Sequence, residues 1–259
     1  MSKHDETVRR EFAKQAGTFE DVSYAFADPR LIGWILSNVP PEPGASVLDV
    51  AGGTGHIARA YAQSAAVAVV IDLTEEMLAT GQREAAAARN VVYVLGDAAR
   101  MPFVDDGFDL VVSRFAVHHF EQPADQIGEM VRVCRPGGRV AIIDLVAADP
   151  ALADRHDRLE RMRDPSHAHA LPARELRQLL EGAGGTVAHE TGHDQPLSTE
   201  RWLAQAQTPS ATGEAIRAEL QAELGGGGRP ECARSSSTAS STSHTGTRSS
   251  SRRRRLRDD

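Results

Sequence analysis

A glycine-rich loop that follows a short apolar run is the stretch of this chain best suited to binding chemistry. Residues 47–56 read VLDVAGGTGH, which predicts a strand, a glycine turn and a helix from about Ile57. Glycine lets a ligand approach the backbone closely, and a helix N-terminus offers free N–H groups. The loop therefore predicts a cradle for a small molecule. Because Gly53, Gly55 and Ala58 also fit the loose spacing G-x-G-x-x-G/A, the glycines alone allow a nicotinamide or flavin enzyme.

Carboxylates at the ends of predicted strands narrow the choice of ligand. Asp49 closes the first predicted strand, Asp72 closes the second, and Asp97 follows the third. Open parallel sheets bind ligands at these strand ends, and an acidic residue after the second strand suits a ribose with both hydroxyls free. Asp49 would repel a pyrophosphate and attract an ammonium or sulfonium group. Together the three aspartates favour a cationic adenosyl ligand. The alternative is that they cap helices or turns, which aspartate commonly does at such positions.

Two pairs of histidines could carry further chemistry. His118 and His119 directly follow the fourth predicted strand, and histidine is the natural base near neutral pH. The alternative is that one of them packs under the loop and hydrogen-bonds to the backbone. His167 and His169 form a second pair, but two ligands at this spacing without a third are a poor metal site. We therefore predict no metal and a solvated or pocket-lining loop there.

The elements that must position these residues alternate from residue 45 onward. Short apolar runs, turns that contain glycine or aspartate, and longer stretches with helical spacing follow one another. This pattern is typical of a mostly parallel, doubly wound α/β sheet. The predicted strands are 47–50, 66–71, 91–95, 108–113, 138–145 and 186–190. The predicted helices are 5–16, 29–38, 57–63, 75–88, 124–134, 172–181, 198–207 and 213–224.

The predicted organisation has three parts. Residues 1–40 form a helical lid, residues 41–224 form the binding domain, and residues 225–259 form a disordered tail rich in serine and arginine. Substrate choice is assigned to the lid and to residues 146–170. The aromatic side chains expected to contribute from the lid are Phe12, Phe19, Tyr24 and Phe26.

Six motifs in order resemble the class I S-adenosylmethionine-dependent methyltransferases, and within them the small-molecule group that includes the ubiquinone/menaquinone C-methyltransferases. The motifs are VLDVAGGTG at 47–55, IDLTEEML at 71–78, GDAARMPF at 96–103, FDLVV at 108–112, HHF at 118–120 and RVCRPGG at 132–138. The resemblance implies a Rossmann-like fold and S-adenosyl-L-methionine as the cofactor. Weaker similarity extends from about residue 8 to residue 224.

The resemblance also implies roles for individual residues. Asp49 and the backbone of Gly53 and Gly55 would hold the methionine end of the cofactor, and Asp72 would bind the ribose hydroxyls. The other implied cofactor contacts are Leu73 and Met77 beside the adenine, Asp97 and Ala98 at its edge, and Ser113 and Arg114 near the methionine.

Methyl transfer from a sulfonium is an in-line displacement, so a protein mainly aligns the nucleophile with the methyl group and excludes water. His119, with His118 as a second candidate, could act as a base for a phenol or a carbon acid. The expected acceptor is a small hydrophobic or aromatic molecule, methylated on carbon or oxygen. The alternative function is a cofactor-binding homologue with a non-methylating or regulatory role, because fold does not fix function.

Composition and charge argue against several classes of protein. Residues 225–259 carry eight arginines against three acidic residues, so the net charge of −7 divides into +5 there and −12 over residues 1–224. An acidic body argues against a nucleic acid partner. Cys134 and Cys232 are too few for a disulfide framework. Because no long apolar run and no secretion signal are found, we expect no stable membrane insertion and a cytoplasmic location.

The tail departs from the pattern of the family. The resemblance implies a final antiparallel strand between strands five and six, and no apolar alternation after residue 190 predicts it. The final strand is therefore expected to be missing, and a displaced reading frame from about residue 225 is the hypothesis for this change in composition. The competing interpretation is a basic disordered tail that contacts an acidic partner or a membrane surface.

Overall fold

The computed structural model describes residues 2–22, 24–146, 150–225 and 238–247. Within these ranges the strands form one sheet in the order β3-β2-β1-β4-β5-β7-β6. The pairs among β1 to β5 are parallel, whereas β7 runs antiparallel to both β5 and β6. The predicted Rossmann-like α/β fold is confirmed. The strands are β1 (Ser46–Val50), β2 (Val67–Asp72), β3 (Val91–Leu95), β4 (Phe108–Arg114), β5 (Cys134–Leu145), β6 (Val187–Pro196) and β7 (Thr238–Thr247).

Helices precede the sheet and connect its strands. Helix α2 begins as the sequence predicts, because Asp28 accepts a hydrogen bond from the backbone N–H of Arg30 at 2.9 Å and proline occupies the first helical position. The helices are α1 (Lys3–Gln15), α2 (Pro29–Asn38), α3 (His56–Tyr61), α4 (Glu75–Glu84), α5 (Pro123–Val133), α6 (Ala153–Arg163), α7 (Ala173–Gly182), α8 (Thr199–Gln205) and α9 (Ser210–Gly225). None of the helices in the described ranges is both long and apolar enough to cross a membrane.

Alternate residues of the strands bury opposite faces of the sheet. Leu48 and Val50 of β1 belong to the core cluster that includes side chains of α5 and α7. Val47 belongs instead to the cluster that includes side chains of α2, α3 and α4. Because successive side chains of a strand point to opposite faces, a short apolar run supplies both cores. Helix α2, which the sequence assigned to the lid, therefore packs into the core on the same face of the sheet as Val47.

The expectation that the final antiparallel strand is missing is wrong. Residues Thr238–Thr247 form β7, which lies between β5 and β6 and pairs with both. The backbone ladder supplies hydrogen bonds on both sides without requiring apolar side chains, and threonine is itself a good strand former. Hydrophobic periodicity therefore gave no signal for this strand. The rest of the predicted tail lies outside the described residues apart from the last residue of α9, and the displaced reading frame remains a prediction.

Helix α6 lies in a stretch for which the sequence predicts neither a helix nor a strand. Its buried residues include His156, Asp157, Glu160 and Arg163 beside one large apolar side chain, Leu159. Several of these groups satisfy one another, as in the ion pair of Arg163 Nε with Glu160 Oε2 at 2.8 Å. A helix that buries paired charges lacks an apolar stripe, so its periodicity is hidden from sequence inspection.

Candidate active site

A cavity of about 220 Å³ lies at the carboxyl ends of β1, β2, β3 and β4. The strand order reverses between β1 and β4, which is where open α/β sheets bind ligands. The strand ends contribute Asp49, Asp72, Asp97 and Arg114 to its lining, and α1, the segment after α1 and the start of α5 contribute the other walls.

Asp49 is the most deeply buried carboxylate of the cavity, with 1% of its surface exposed. Its Oδ2 accepts a hydrogen bond from the backbone N–H of Ala58 at 3.0 Å, and its Oδ1 has no hydrogen-bond partner within the described ranges. Burial raises the pKa of Asp49 to about 7, although the positive charge of Arg114 opposes the shift. An unpartnered buried oxygen of this kind is suited to a cationic ligand group.

The glycine loop keeps this carboxylate accessible. A Cβ atom on Gly52 would lie 2.6 Å from Cγ of Asp49, so a side chain there would displace the carboxylate. Gly53 has a φ of +58° and lines the cavity. Gly55 has a φ of +80°, and a Cβ atom on it would lie 2.9 Å from the Tyr93 hydroxyl oxygen. Gly55 therefore lets the loop pack on β3 and does not line the cavity.

Asp72 and Asp97 line the cavity and also accept hydrogen bonds from nearby backbone N–H groups. Both the ligand-binding and the capping interpretations of these residues are therefore compatible with the structure. Asp72 accepts from the backbone N–H of Gly53 and of Thr74, each at 2.8 Å, and Asp97 accepts from Ala99 at 2.8 Å. Burial raises the pKa of Asp72 above its ordinary value, and the hydrogen bonds from Thr74 and Gly53 oppose the shift. A carboxylate has about four acceptor sites, so these bonds leave capacity for ligand hydroxyl or amino groups.

Arg114 is the one arginine or lysine that the described residues bring to the lining. It donates from Nη1 to the backbone oxygen of Phe26 at 2.9 Å, and its guanidinium carbon lies 5.3 Å from the centroid of the Phe115 ring. Burial lowers the pKa of Arg114 to about 10, and Asp49 opposes the shift, so the guanidinium is charged at neutral pH. It can therefore bind a carboxylate beside the site for a cation.

Aromatic rings form an apolar wall of the same cavity. Phe19 and Phe26 stack with ring centroids 4.2 Å apart and planes 15° apart. The ring of Phe12 from α1 meets the His119 ring edge to face, with centroids 4.9 Å apart. Three of the four aromatic residues predicted for substrate choice thus line the cavity, whereas Tyr24 does not.

The histidine pair is divided between two environments. His119 lines the cavity, and its Nδ1 lies 2.9 Å from the backbone oxygen of Ser166. His118 is buried away from the cavity lining, pairs through Nδ1 with Asp144 and also donates its backbone N–H to that carboxylate at 3.0 Å. Burial lowers the pKa of His118, but the charge and hydrogen bond of Asp144 outweigh it and raise the pKa above 6.5. Only His119 is placed to meet a ligand.

Several other predicted residues also lie outside the lining. Met77 is fully buried and packs with Ala16 and Phe19, and Ser113 is also fully buried. His167 and His169 both pair with Asp157. Of the two settings expected for that loop, solvated or pocket-lining, neither histidine lines the cavity, and the side chain of His169 is half exposed. No residue of 150–170 lines the cavity among those described. The described residues also hold no group of three or more His, Cys, Asp or Glu side chains arranged for a metal ion.

Sequence reasoning missed one face of α1 and the first turn of α5. Their side chains bring acidic and amide groups to the cavity. These residues are Ser2, Asp5, Val8 and Phe12 from the N-terminal segment, of which only Phe12 was predicted, and Gln122, Asp125 and Gln126 from α5 and its cap. The four residues of the N-terminal segment are spaced three or four apart, and this helical spacing could have shown that they share one face.

Comparison with known proteins agrees with this geometry. Residues 48–142 match the family described as Methyltransferase domain. The chain is 28% identical over 202 residues to the uncharacterized methyltransferase YcgJ of Bacillus subtilis, which covers 77% of this chain and 79% of that protein. The solved structure of YcgJ has the same fold, with a TM-score of 0.75 at 24% identity over 85% of this chain and 98% of that chain.

Two further relatives extend the comparison. The uncharacterized protein YafE of Escherichia coli is 31% identical over 159 residues, 60% of this chain and 77% of that protein. The ubiquinone/menaquinone biosynthesis C-methyltransferase UbiE of Roseobacter denitrificans is 37% identical over 123 residues, 45% of this chain and 49% of that protein. This chain thus spans about half the length of that enzyme. Together with the glycine loop and the carboxylates at the strand ends, these matches show that the chain belongs to the class I S-adenosylmethionine-dependent methyltransferases and is similar to the ubiquinone/menaquinone C-methyltransferase group.

Proposed function

We propose that the protein transfers a methyl group from S-adenosyl-L-methionine to carbon or oxygen of a small, hydrophobic or aromatic acceptor. The observation that carries the proposal is Asp49 Oδ1, a buried carboxylate oxygen without a partner among the described residues, beside a glycine loop that a single Cβ atom would obstruct. An acidic oxygen in this position suits the ammonium group of the cofactor.

The residues around the cavity fit the rest of the cofactor. Arg114 can take the methionine carboxylate, and Asp72 can accept from the ribose hydroxyls. Leu73, Asp97 and Ala98 line the part of the cavity that suits an adenine ring. When bound, the cofactor supplies an electrophilic methyl group on a positively charged sulfur.

The acceptor site is assigned to the aromatic wall. Phe12, Phe19 and Phe26 provide apolar surface, and closure of α1 over the cavity would exclude water from the reacting atoms. His119 borders the same space and can accept a proton from a phenol or a carbon acid. The protein's contribution is thus alignment, desolvation and one base.

Calorimetric titration with S-adenosylmethionine tests cofactor binding, and incubation with methyl-labelled cofactor and a panel of quinols, phenols, polyketide intermediates and amines tests transfer. Binding together with a methylated quinol, phenol or polyketide supports the proposal. Methylation of amines alone would overturn the assignment of the acceptor. Cofactor binding without any methylated product would favour a non-methylating or regulatory role.

A further inference from the structure

The loop after α6 presents two hydrogen-bond acceptors to one ring nitrogen of His119. Nδ1 of His119 lies 2.9 Å from the backbone oxygen of Ser166 and 3.1 Å from its Oγ. Ser166 Oγ donates its own proton to Asp164 Oδ1 at 2.5 Å. A carbonyl oxygen only accepts, and a hydroxyl that has given its proton to a carboxylate can only accept from another group. Nδ1 must therefore carry the ring proton.

We propose that Asp164 and Ser166 are positioning residues that hold His119 as the Nδ1–H tautomer and so leave Nε2 unprotonated toward the cavity. The inference rests on the proposed function, because it specifies how His119 serves as the base. Proton transfer then balances simply: the acceptor's proton moves to Nε2, and the acceptor's electron pair forms the bond to the methyl carbon. The electron pair of the broken carbon–sulfur bond stays on sulfur.

The loop is built rigidly enough for this role. Asp164 and Ser166 are 3% and 0% exposed. Asp164 Oδ1 also accepts from the backbone N–H of Ser166 at 2.9 Å, which closes an Asx turn and places the Ser166 carbonyl. The backbone N–H groups of Ala168 and His169 donate to the His118 oxygen at 2.9 and 3.1 Å. The loop is thereby fixed to the segment that carries His119.

Burial and repulsion from His118 keep the ring of His119 neutral. His118 adjoins it in the chain, Asp164 and His167 face it from the loop, and His4 of α1 hydrogen-bonds to its backbone oxygen at 2.8 Å. Burial, followed by repulsion from His118, lowers the pKa of His119 well below 6.5, and Asp164 only partly opposes this shift. A neutral ring with a fixed tautomer has one available lone pair, on Nε2.

Nitrogen NMR of the full chain labelled in its histidines tests the inference directly, because protonated and unprotonated ring nitrogens have widely separated shifts. A spectrum of His119→Gln assigns the resonances of His119. We expect wild-type His119 to carry its proton on Nδ1 and Asp164→Asn to retain this tautomer, because an amide oxygen can still close the turn. Asp164→Ala should move most of the population to Nε2–H.

Asp157→Ala is the matched control, because Asp157 is an equally buried aspartate that pairs with His167 and His169 and makes no hydrogen bond to His119. It should leave the tautomer of His119 unchanged. Once an acceptor is known, Asp164→Ala should lower kcat by about tenfold or more, within the roughly 10²–10⁴-fold that a general base contributes. Its Kd for S-adenosylmethionine should stay near the wild-type value.

An Nε2–H tautomer in the wild type, or an Asp164→Ala spectrum identical to the wild type, would overturn the inference. The wild-type and Asp164→Asn spectra still decide it if the alanine variant does not fold. Because the spectra need no acceptor, a failure of the tautomer assignment is distinguishable from a failure of methyl transfer.

Discussion

The buried carboxylate of Asp49 predicts a pH dependence of cofactor binding. Only its ionised form attracts an ammonium group, and burial raises its pKa to about 7 in the ligand-free protein. Protonation below that pH removes the attraction. Affinity for S-adenosylmethionine should therefore fall as the pH is lowered from 8 to 6.

The magnitude follows from the fraction of Asp49 that is ionised. A ligand that binds only the ionised form is weakened by the factor 1 + 10^(pKa − pH), which is about 11 at pH 6 and about 1.1 at pH 8 for a pKa of about 7. The Kd should thus be about tenfold higher at pH 6, equivalent to about 1.4 kcal/mol.

Calorimetric titrations of wild type and Asp49→Asn at several pH values measure this effect. The asparagine variant should bind more weakly at pH 8 and should lack the contribution of Asp49 to the pH dependence. Any titration of the ligand itself is common to both proteins, so the ratio of their Kd values isolates the carboxylate. A ratio that stays constant between pH 6 and pH 8 would refute the reasoning.

The same substitution should have the opposite effect on the stability of the ligand-free protein. Folding raises the pKa of Asp49 from 3.8 to about 7, so the native state binds the proton more tightly than the unfolded state. Stability is consequently lost as the pH rises through this window, by an upper bound of about 4 kcal/mol. Asp49→Asn should raise Tm at pH 8 and lose this advantage near pH 4, as thermal unfolding would show.

Three further predictions concern the loop, a buried ion pair and the last strand. Gly52→Ala should raise the cofactor Kd by about tenfold or more by displacing the carboxylate of β1; Gly33→Ala, with open space around its Cβ, should bind normally in the same titration. Asp144→Asn removes the buried negative charge that pairs with His118 and should cost about 3–5 kcal/mol in urea unfolding at pH 6. Because the pKa of His118 is raised on folding, this difference should shrink as the pH rises through the folded pKa, and a pH-independent cost would contradict the pairing. Thr242→Pro interrupts a strand paired on both sides and should cost about 3 kcal/mol in urea unfolding. Unchanged stability would contradict the pairing of β7 with β5 and β6.

The hypothesis of a displaced reading frame needs a separate test. Sequencing the gene and measuring the intact mass of protein from its native locus would detect a different tail. An in-frame tail in a protein of normal activity would refute the hypothesis. The pairing of Thr238–Thr247 in the sheet shows only that these residues form a strand.

Local features of the sequence were sufficient to locate the carboxylates that line the cavity at the strand ends. Asp49 is the penultimate residue of β1, Asp72 is the last residue of β2, and Asp97 follows β3 by two residues. Parallel topology brings the carboxyl ends of these strands to one edge. Apolar runs, glycine turns and caps act over a few residues, so their patterns predict where strands lie and where helices begin. Periodicity failed for α6, whose buried face is made of paired charges, and for β7, whose stability comes from its backbone ladder.

The sequence by itself determined the fold class, the glycine loop and the family, because these depend on short-range patterns along the chain. Tertiary structure alone decided that His119 rather than His118 meets the cavity, that α1 lines it, and that Ser166, bonded to Asp164, contacts the ring of His119. Those contacts join residues far apart in the chain. Neither spacing nor composition specifies which of two adjacent histidines turns toward a carboxylate on β5 and which turns toward a ligand.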